Sequence, residues 1–364
     1  MKVLFLANND AGLYRFRKEL LQSLISDHEV HVACPFGTFV EELRSLGCVL
    51  HETKMEVHGM NPIGEYKLYS SYKSLIKSIE PQIVFTYTIK PNVYGGYACQ
   101  RLHIPYVSNV TGLGTAVMGG GKIAKITQTL YRLGLKKAQK VFFQNSEDRD
   151  FMVNHGIVKS NYDLLPGSGV NLADNVLLPY PQRETVDFVF ISRVMKQKGA
   201  DQFIDAAKEI SSKFPNTRFH ICGRCEDEYK DIVERLSKEG IIQYHGFVKD
   251  MKPIQMLSSC TIHPTFYPEG MSNVLLESCA CGRPIITTDR PGCREIVDDG
   301  INGFVVRQQD SRDLIEKIEK FLALSWEERR NMGLAGRAKV EREFDRRIVI
   351  EKYLKEVQSA SKKQ

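Results

Sequence analysis

Short apolar runs alternate with segments of helical periodicity along almost the whole chain, and this alternation restricts the fold more than any other feature. The segments between the runs repeat apolar residues every three or four positions, as amphipathic helices do. Strands that alternate with helices in this way form a parallel sheet covered by helices. The predicted strands are Val3–Ala7, Glu29–Ala33, Ile83–Tyr87, Tyr106–Val110, Val141–Gln144, Asp187–Ser192, Arg218–Cys222, Ile241–His245, Cys260–His263 and Pro284–Thr288.

The alternation is interrupted once, near Leu164–Leu178, where Pro166-Gly167-Ser168-Gly169 has the composition of a linker. A chain of 364 residues is also too long for one ordinary core. We therefore predict an α/β protein with two Rossmann-like domains, at residues 1–170 and 171–345, whose parallel sheets face each other across a cleft. Residues 346–364 are predicted to form a helix that crosses back to the first domain.

Composition excludes several other classes of protein. The chain is 42% hydrophobic and 26% charged, which is typical of a globular protein. It has no apolar run long enough to span a bilayer, and its apolar N-terminus is too short for a signal peptide, so we expect a cytoplasmic location. Nine scattered cysteines argue against a disulfide framework. Cys222 and Cys225 have the spacing of a redox or zinc pair, but no second pair accompanies them, which favours two small apolar residues at a strand end and no metal site.

Basic residues exceed acidic ones, and the formal net charge is +6. Most of this excess lies in the first 170 residues, which predicts an anionic partner for that half of the chain. The candidates are nucleic acid and an anionic membrane surface. No nucleic-acid recognition motif accompanies the charge, so we do not expect nucleic acid to bind.

Two glutamates, Glu269 and Glu277, give the strongest chemical signal. The first lies in a predicted loop and the second inside the helix that follows. The helix N-terminus between them presents free backbone N–H groups and the positive end of a dipole. The N–H groups can hold phosphate, and the two carboxylates can accept hydrogen bonds from the hydroxyls of a sugar and a ribose. The same spacing also occurs where an ordinary helix start carries a surface glutamate, so the spacing taken alone is a weak signal.

Arg193 and Lys198 follow the predicted strand Asp187–Ser192. Two cations just beyond the carboxyl end of a strand can neutralise a departing diphosphate. Most lysines and arginines are instead solvated at the surface, and the position at the strand end is what favours the phosphate role.

These segments together resemble glycosyltransferase family 4. The shared patterns are E-x7-E (Glu269, Glu277), R-x4-K-G (Arg193, Lys198, Gly199), Val248-Lys249-Asp250 after His245-Gly246-Phe247, Gly282-Arg283-Pro284-Ile285-Ile286 and Gly300-Ile301-Asn302-Gly303-Phe304. The resemblance implies the GT-B fold, a nucleotide-sugar donor, retention of the anomeric configuration, and neither a cofactor nor a required metal.

The resemblance also implies a role for each matching residue. The catalytic residues would be Arg193 and Lys198, which bind the diphosphate, and Glu269, which holds the donor sugar. The remaining donor-binding residues would be Gly270, Met271, Ser272 and Asn273 around that sugar, Glu277 at the ribose, Gly246, Phe247 and Val248 with His245 around the base, and Gly12 near the phosphates.

The N-terminal half departs from the family pattern at two positions. Many members have two glycines after the first strand, whereas this chain has Ala11-Gly12, so close backbone approach depends on Gly12. Thr111 stands where the family often has a histidine before glycine. A retaining enzyme of this type can work without a protein base, because the leaving diphosphate can accept the proton of the acceptor on the same face.

The segment from Phe85 to Gly95 and the loop Val110–Gly114 resemble a narrower subgroup, which elongates undecaprenyl-diphosphate-linked sugars in bacterial surface polysaccharide and glycoprotein pathways. The resemblance implies acceptor-binding roles for Tyr87, Lys90 and Thr111. Lys90 could pair with the diphosphate of the acceptor, or it could be a solvated loop lysine.

A basic stripe is consistent with a lipid acceptor. Its members are Lys122, Lys125, Arg132, Lys136 and Lys140, predicted on one face of a helix with Ile123, Ile126, Leu130 and Leu133 on the adjoining face. Such a helix can lie on an anionic leaflet. The same pattern also describes a helix with a core face and a solvated charged face, and the sequence leaves both interpretations open.

The leading hypothesis is a retaining transferase that moves a sugar from a UDP-sugar, with UDP-N-acetylhexosamine as one candidate, to a lipid-diphosphate-linked saccharide. It would be peripheral on the inner face of the cell membrane. A nucleotide-sugar 2-epimerase is a competing hypothesis, but its reaction needs acid/base carboxylates and histidines in the cleft. A catalytically silent subunit for membrane or partner docking is another. The R-x4-K and E-x7-E residues argue against it, while Thr111 keeps it open.

Overall fold

A computed structural model describes residues 1–55 and 61–362 of the chain. The chain divides into two compact units. The first unit consists of Met1–Gly169 together with Arg347–Gln364, and the second of Val170–Arg346. Each unit contains one sheet, and every paired strand in both sheets is parallel. Within the described residues, no helix is both long and apolar enough to cross a membrane.

The first unit has seven strands and is covered by helices on both faces. The strands are β1 (Lys2–Leu6), β2 (Glu29–Cys34), β3 (Val49–Glu52), β4 (Ile83–Tyr87), β5 (Tyr106–Val110), β6 (Lys140–Phe143) and β7 (Tyr162–Leu164). The helices are α1 (Asp10–Ile25), α2 (Val40–Ser45), α3 (Pro62–Ile79), α4 (Gly96–Leu102), α5 (Thr115–Met118), α6 (Lys122–Leu135) and α7 (Ser146–Asn154), with a π-helical turn at Pro91–Gly95 before α4. The strand order is β3-β2-β1-β4-β5-β6-β7.

The second unit repeats this plan with six strands. They are β8 (Val186–Ile191), β9 (Thr217–Cys222), β10 (Gln243–Tyr244), β11 (Cys260–His263), β12 (Ile285–Thr288) and β13 (Gly303–Val306). A 3-10 turn at Lys196–Lys198 leads into the helices, which are α8 (Ala200–Lys213), α9 (Asp227–Lys238), α10 (Lys252–Leu257), α11 (Asn273–Ala280), α12 (Ser311–Leu322) and α13 (Trp326–Glu343). The strand order is β10-β9-β8-β11-β12-β13, and the final helix of the chain is α14 (Arg346–Ser361).

Each sheet reverses its strand order once. In the first unit the chain runs outward from β1 to β3 and then returns to place β4 on the other side of β1. In the second unit the same reversal lies between β8 and β11. At a reversal the loops after two neighbouring strands leave in opposite directions, which opens a crevice at the carboxyl edge of the sheet. The α/β fold with two parallel sheets confirms the predicted fold class.

Helix α14 belongs to the core of the first unit. Val3 and Phe5 of β1 face this helix and α1, while Leu4 and Leu6 face the opposite helical layer, because successive side chains of a strand point to opposite faces. Tyr353 is the largest side chain that α14 inserts, and it is fully buried.

The Tyr353 ring lies 5.2 Å from the ring of Phe85 and 5.3 Å from that of Phe142. Its hydroxyl donates to Asn109 Oδ1, and Asn109 Nδ2 donates in turn to the carbonyl oxygen of Thr86 at 3.1 Å. A buried polar network therefore joins α14 to the carboxyl ends of β4 and β5.

We expect Tyr353→Ala to lower the free energy of unfolding of the first unit by about 3–5 kcal/mol, because it removes a buried aromatic ring and leaves the Asn109 side chain without its donor. Urea denaturation monitored by circular dichroism measures this change. Lys355→Ala, at an exposed position of the same helix, is the matched control and should change stability by less than about 0.5 kcal/mol. Equal effects of the two substitutions would contradict the role given to Tyr353.

Candidate functional site

An ion pair spans the reversal in the second sheet. Lys198 follows β8 and Glu269 follows β11, and the Lys198 ammonium donates directly to Glu269 Oε1. Both side chains are largely buried, with 13% and 14% of their surfaces exposed. The Lys198 ammonium also lies 4.6 Å from the centre of the Tyr267 ring. The structure thus brings together two of the three residues predicted to be catalytic.

His263, the last residue of β11, adds a third group that the sequence reasoning missed. Its Nε2 lies 3.4 Å from Glu269 Oε1, and the side chain is buried. Burial by itself raises the pKa of Glu269, but the hydrogen bond and charge of His263 and the charge of Lys198 outweigh it and bring that pKa down to about 2. Glu269 is therefore ionised throughout the neutral range and acts only as an acceptor of hydrogen bonds.

Close packing of the loops holds this group of residues in place. A Cβ atom at Gly199 would lie 2.2 Å from the carbonyl oxygen of Pro264, so the loops after β8 and β11 touch at a position that admits only glycine. A Cβ atom at Gly223 would lie 1.7 Å from the carbonyl oxygen of Ser192, and the Gly223 N–H donates to the carbonyl of Gly246 at 2.7 Å. The loops after β8, β9 and β10 are thereby joined, which ties the predicted base-binding segment to the strand before Arg193.

Helix α11 begins beside Glu269 without a side-chain cap. Its N-cap residue, Ser272, makes no capping hydrogen bond, and its buried hydroxyl has no partner among the described residues. The Ser272 N–H donates to the carbonyl of Gly292 at 2.8 Å, which fixes the start of the helix against the loop after β12. No side chain therefore caps the first turn of α11, which begins at Asn273.

The other predicted donor-site residues of this unit lie in two places. Glu277 lines a small cavity of about 170 Å³ that it shares with Asp250 and Met251, just after Val248. Arg193 is more than half exposed, and its guanidinium is 3.6 Å from a carboxylate oxygen of Glu226. An exposed pair of this kind is weak, so the guanidinium can exchange Glu226 for another anion at little cost.

In the first unit, side chains already accept the backbone N–H groups that the predicted phosphate role of Gly12 would use. Gly12 lies in the first turn of α1, and its N–H already donates to Asn9 Oδ1 at 2.6 Å. The next donor, the N–H of Ala11, bonds to Asp10 Oδ1 at 2.7 Å. Asp10 is buried and also accepts from Gly37 and Phe39 in the loop after β2, a role that the sequence reasoning missed. A phosphate would have to displace the Asn9 side chain to reach the N–H of Gly12.

Tyr87, predicted to bind the acceptor, lies in the core of the first unit. It ends β4 and is buried, with its ring 6.2 Å from that of Phe5 and 6.5 Å from that of Tyr353. The Arg17 guanidinium stacks 5.3 Å from its centre. Burial raises the pKa of Tyr87 well above its ordinary value. The residue that follows, Thr88, has a φ angle of 68°, which is strained for a β-branched side chain and marks the reversal in this sheet.

Lys90 is paired within its own unit. Its ammonium donates to Glu65 Oε1 at 2.6 Å, and the two side chains are 15% and 12% exposed. A lysine held by a buried carboxylate is neither a solvated loop lysine nor a free partner for a diphosphate. Thr111 begins the loop after β5 and is half-buried.

The prediction that all five residues of the basic stripe share one face of a helix is partly wrong. Helix α6 ends at Leu135, so Lys136 follows it and Lys140 is the first residue of β6. Arg132 donates to the carbonyl oxygen of His155 at 2.9 Å, which directs it toward α7. Helix α6 ends before Lys136 because the chain must then pair β6 with β5. The first bond of this approach is the one that the Gln139 N–H donates to the carbonyl of Tyr106. Lys122 and Lys125 lie on the exposed face of the helix as predicted.

Three of the four predicted apolar residues of α6 lie outside its core face. Ile123 is 59% exposed, and Ile126 and Leu133 are each 49% exposed, while the core face is formed by Tyr131 and Leu135, with Leu130 packed against the same core. The interpretation of α6 as an ordinary core-facing helix therefore fails for these three residues.

All nine cysteines are free, and Cys222 is buried at the end of β9. Burial raises the pKa of the Cys222 thiol to about 12, which suppresses the thiolate that redox or metal chemistry requires.

Comparison with known proteins identifies the family. The model described as "Glycosyl transferase 4-like" matches residues 2–145, and the model described as "Glycosyl transferases group 1" matches residues 181–339, so together they match most of both units. The chain thus carries a glycosyl transferase 4-like domain followed by a glycosyl transferases group 1 domain. This glycosyltransferase is 25% identical, over 98% of both chains, to the N,N'-diacetylbacillosaminyl-diphospho-undecaprenol alpha-1,3-N-acetylgalactosaminyltransferase of Campylobacter jejuni. It is 27% identical to the capsular polysaccharide biosynthesis glycosyltransferase CapM of Staphylococcus aureus, over 78% of this chain and 80% of CapM.

Solved structures with the same fold cover the whole glycosyltransferase. A glycosyltransferase from Rickettsia africae matches with a TM-score of 0.83 at 19% identity, over 100% of this chain and 99% of that one. HepE from Anabaena, solved in complex with UDP, matches with a TM-score of 0.80 at 18% identity, over 99% and 100% of the two chains. These likenesses show the GT-B fold that the sequence resemblance implied.

We expect the stability that the Glu269 carboxylate contributes to disappear in acid. Its pKa of about 2 lies below the ordinary value of 4.5, so the unfolded chain binds the proton first. The contribution is complete above about pH 5 and is lost as the pH falls toward the folded-state pKa. Urea denaturation of wild type and Glu269→Gln should therefore show a stability difference that is constant from about pH 7 to pH 5 and shrinks below pH 4.5.

Glu226→Gln, at an exposed carboxylate of the same unit, controls for replacing a carboxylate with an amide. A difference between wild type and Glu269→Gln that stays unchanged down to pH 3.5 would contradict the ion pair, because the pairing requires the charged carboxylate.

Proposed function

We propose that this glycosyltransferase moves a sugar from a UDP-sugar to a saccharide linked to undecaprenyl diphosphate, with retention of the anomeric configuration and without a metal ion, in bacterial surface polysaccharide or glycoprotein assembly. The observation that carries the proposal is the Lys198–Glu269 ion pair at the strand reversal of the second unit. The family membership, the Campylobacter relative with its undecaprenol-linked acceptor, and the UDP bound to HepE support the choice of substrates.

In this proposal the ion pair organises the donor site before the donor arrives. An ammonium group has three donors, and the bond to Glu269 uses one of those on Lys198. The remaining donors, together with the exposed guanidinium of Arg193, neutralise the charge that develops on the leaving diphosphate. A fixed positive group aimed at developing charge stabilises the transition state without reorganising during the reaction. The Glu269 carboxylate also accepts hydrogen bonds from hydroxyls of the donor sugar.

The acceptor proton needs a destination when the new glycosidic bond forms. In a retaining reaction on one face of the sugar, the oxygen of the departing diphosphate is close enough to receive it. This route is compatible with Thr111, which offers no basic nitrogen where the family often has a histidine. Binding of the leaving group by Lys198 and Arg193 is then the main contribution of the protein to the rate.

We further propose that the first unit binds the inner face of the cell membrane through α6 and α3. The exposed Ile123, Ile126 and Leu133 lie beside Lys122 and Lys125 on α6, which is the pattern of a helix that inserts apolar side chains below a cationic rim. On α3, Tyr66 is 70% exposed and lies 6.4 Å, centre to centre, from the ring of Tyr69. Tyrosines of this kind favour the headgroup region of a bilayer.

The donor prediction is tested on wild type and on Arg193→Gln with a panel of UDP-, GDP- and ADP-sugars, with and without EDTA. We expect UDP-sugars alone to raise the melting temperature of wild type and to be slowly hydrolysed in the presence of EDTA. Arg193→Gln should lower kcat/KM for the sugar that wild type turns over by about a hundredfold, because it removes one of the two positive groups that neutralise the leaving diphosphate. Its melting temperature without donor should equal that of wild type, since Arg193 is exposed.

Arg235→Gln is the matched control, since Arg235 on α9 is also more than half exposed and also has a carboxylate partner, Glu239. It should leave kcat/KM unchanged. Stabilisation by GDP- or ADP-sugars, activity that EDTA abolishes, or equal activity of Arg193→Gln and wild type would each refute the corresponding part of the proposal. No stabilisation and no hydrolysis with any donor would favour a catalytically silent protein.

The membrane prediction is tested with vesicles that contain phosphatidylglycerol. We expect the triple variant Ile123→Ser, Ile126→Ser and Leu133→Ser to reduce co-sedimentation at least tenfold while its melting temperature is maintained, because each side chain is exposed in the folded protein. Ile301→Ser, at a similarly exposed isoleucine of the second unit, should bind like wild type. Unchanged binding of the triple variant would remove α6 from the membrane surface.

A further inference from the structure

Three polar side chains form a hydrogen-bonded chain across the outer strands of the second sheet. Asp187 lies in β8, His220 in β9 and His245 directly after β10. Asp187 is paired in the sheet with Arg218, and His220 with Gln243, so each step of the chain moves two residues toward the carboxyl edge on one face of the sheet. The chain therefore connects a buried carboxylate to the edge of the sheet at which the ion pair lies.

The two inner members of the chain are buried and the outer one is exposed. His220 Nε2 lies 2.9 Å from Asp187 Oδ1, and His220 Nδ1 lies 3.0 Å from His245 Nε2. Asp187 and His220 are 1% and 3% exposed. His245 is exposed, and its second ring nitrogen, Nδ1, has no hydrogen-bond partner among the residues that the structure describes.

The carboxylate determines which ring nitrogens carry hydrogen. A carboxylate only accepts hydrogen bonds, so the contact with Asp187 places hydrogen on His220 Nε2. In neutral His220 the other nitrogen is then an acceptor, and it receives the hydrogen of His245 Nε2. Neutral His245 is left with a lone pair on Nδ1. The hydrogen bond at one ring nitrogen sets the tautomer of a histidine, so one buried carboxylate fixes the tautomer of both rings.

A flat apolar surface follows this acceptor in the chain. Phe247 is 56% exposed, and the Arg224 guanidinium lies 5.3 Å from the centre of its ring. The loop is held in place by the Gly223 N–H, which donates to the carbonyl of Gly246 at 2.7 Å. An exposed ring beside an acceptor of fixed polarity suits a planar heterocycle, which can stack through its face and donate through its edge.

The polarity of His245 distinguishes between two pyrimidines of the same shape. Uracil carries hydrogen on N3 and can donate to a lone pair, whereas cytosine has a lone pair of its own at N3. Two acceptors that face each other leave both without a hydrogen bond, and a site built to receive a donor rejects an analogue that lacks it.

We propose that His245 selects the uracil base of the donor by accepting from its N3–H, and that His220 and Asp187 are positioning residues that hold His245 in the required tautomer. The inference rests on the proposed function for the donor being a UDP-sugar. The family resemblance implies only that His245 lies near the base. The hydrogen-bonded chain adds what His245 accepts and which buried residues control it.

The first unit contains a histidine pair in the same register, which supplies a matched control. His31 Nδ1 lies 3.0 Å from His51 Nε2, and the sheet pairs His31 with Val49, two residues before His51. The carboxylate beside His31 belongs to Glu29, whose side chain is 51% exposed. His51→Gln removes the outer histidine of this pair without altering the chain in the second unit.

The preference for UDP over CDP, measured by isothermal titration calorimetry as a ratio of dissociation constants, tests the proposal. A general loss of binding changes both constants alike, so the ratio responds to base recognition. Wild type and His51→Gln should bind UDP at least about tenfold more tightly than CDP. His245→Gln should reduce the ratio to below about threefold, because an amide both donates and accepts and can serve either base.

Asp187→Asn changes the same ratio without contacting the ligand, because Asp187 is buried. The new amide can donate to His220 Nε2, which reverses both hydrogen bonds of the chain and places hydrogen on His245 Nδ1. We expect the ratio to fall to below about threefold through tighter binding of CDP and weaker binding of UDP. A purely structural role of Asp187 instead predicts a lower melting temperature and an unchanged ratio.

Nitrogen-15 NMR of the histidine rings reports the tautomers of wild type directly and needs no ligand. At about pH 8, above the ordinary histidine pKa of about 6.5, we expect hydrogen on Nε2 of both His220 and His245. Hydrogen on Nδ1 of His245, or a mixture of its two tautomers, would overturn the proposal even if Asp187→Asn does not fold.

The binding data can also overturn the proposal, and they separate it from the proposed function. Equal affinity of wild type for the two nucleotides, binding of neither, a ratio that His245→Gln and Asp187→Asn both retain, or a ratio that His51→Gln also lowers would each contradict it. If the ratio responds as expected but no UDP-sugar is turned over, the inference stands and the proposed function fails. If UDP-sugars are turned over and both variants keep the wild-type ratio, the proposed function stands and the inference fails.

Discussion

The reversal of strand order in a parallel sheet is the constraint on which this structure depends. Every strand of such a sheet delivers its following loop to the same edge, but only at the reversal do two adjacent loops part and leave room for a ligand. In the second unit these loops carry a lysine and a glutamate that are far apart in the sequence and paired in space. A buried pair of this kind is costly to desolvate, and it is tolerated because His263 adds a further partner for the carboxylate.

The two units use the same topology for different chemistry. The edge of the second sheet concentrates charge, in Lys198, Glu269 and the nearby Arg193, as recognition of a nucleotide diphosphate requires. The edge of the first sheet is held by hydrogen bonds around Asn109, by the buried Asp10 carboxylate and by the Lys90–Glu65 ion pair. The division agrees with a reaction in which one substrate carries the leaving phosphates and the other carries the attacking hydroxyl.

Sequence patterns predicted the interior of both sheets and missed their edges. The strands that were absent from the prediction, β3, β7 and β13, are all outermost, and β10, predicted longer than it is, is outermost as well. The edge strands β3, β7 and β10 are short and partly exposed, so they lack the continuous apolar run that marks a buried strand, whereas β13 is largely buried but only four residues long.

The candidate site residues also divide into those that a sequence pattern can predict and those that it cannot. Motif residues such as Lys198 and Glu269 could be predicted from spacing, whereas His263, Asp10 and Glu65 act through partners that only folding brings near. The burial of Tyr87 could not be predicted, because a strand-end tyrosine has the same sequence signature whether its ring points outward or into the core. The placement of α14 beside the first sheet has a consequence for biosynthesis. On the ribosome, residues 170–346 are complete and able to fold while the first unit still lacks Tyr353, so the unit made first is finished last.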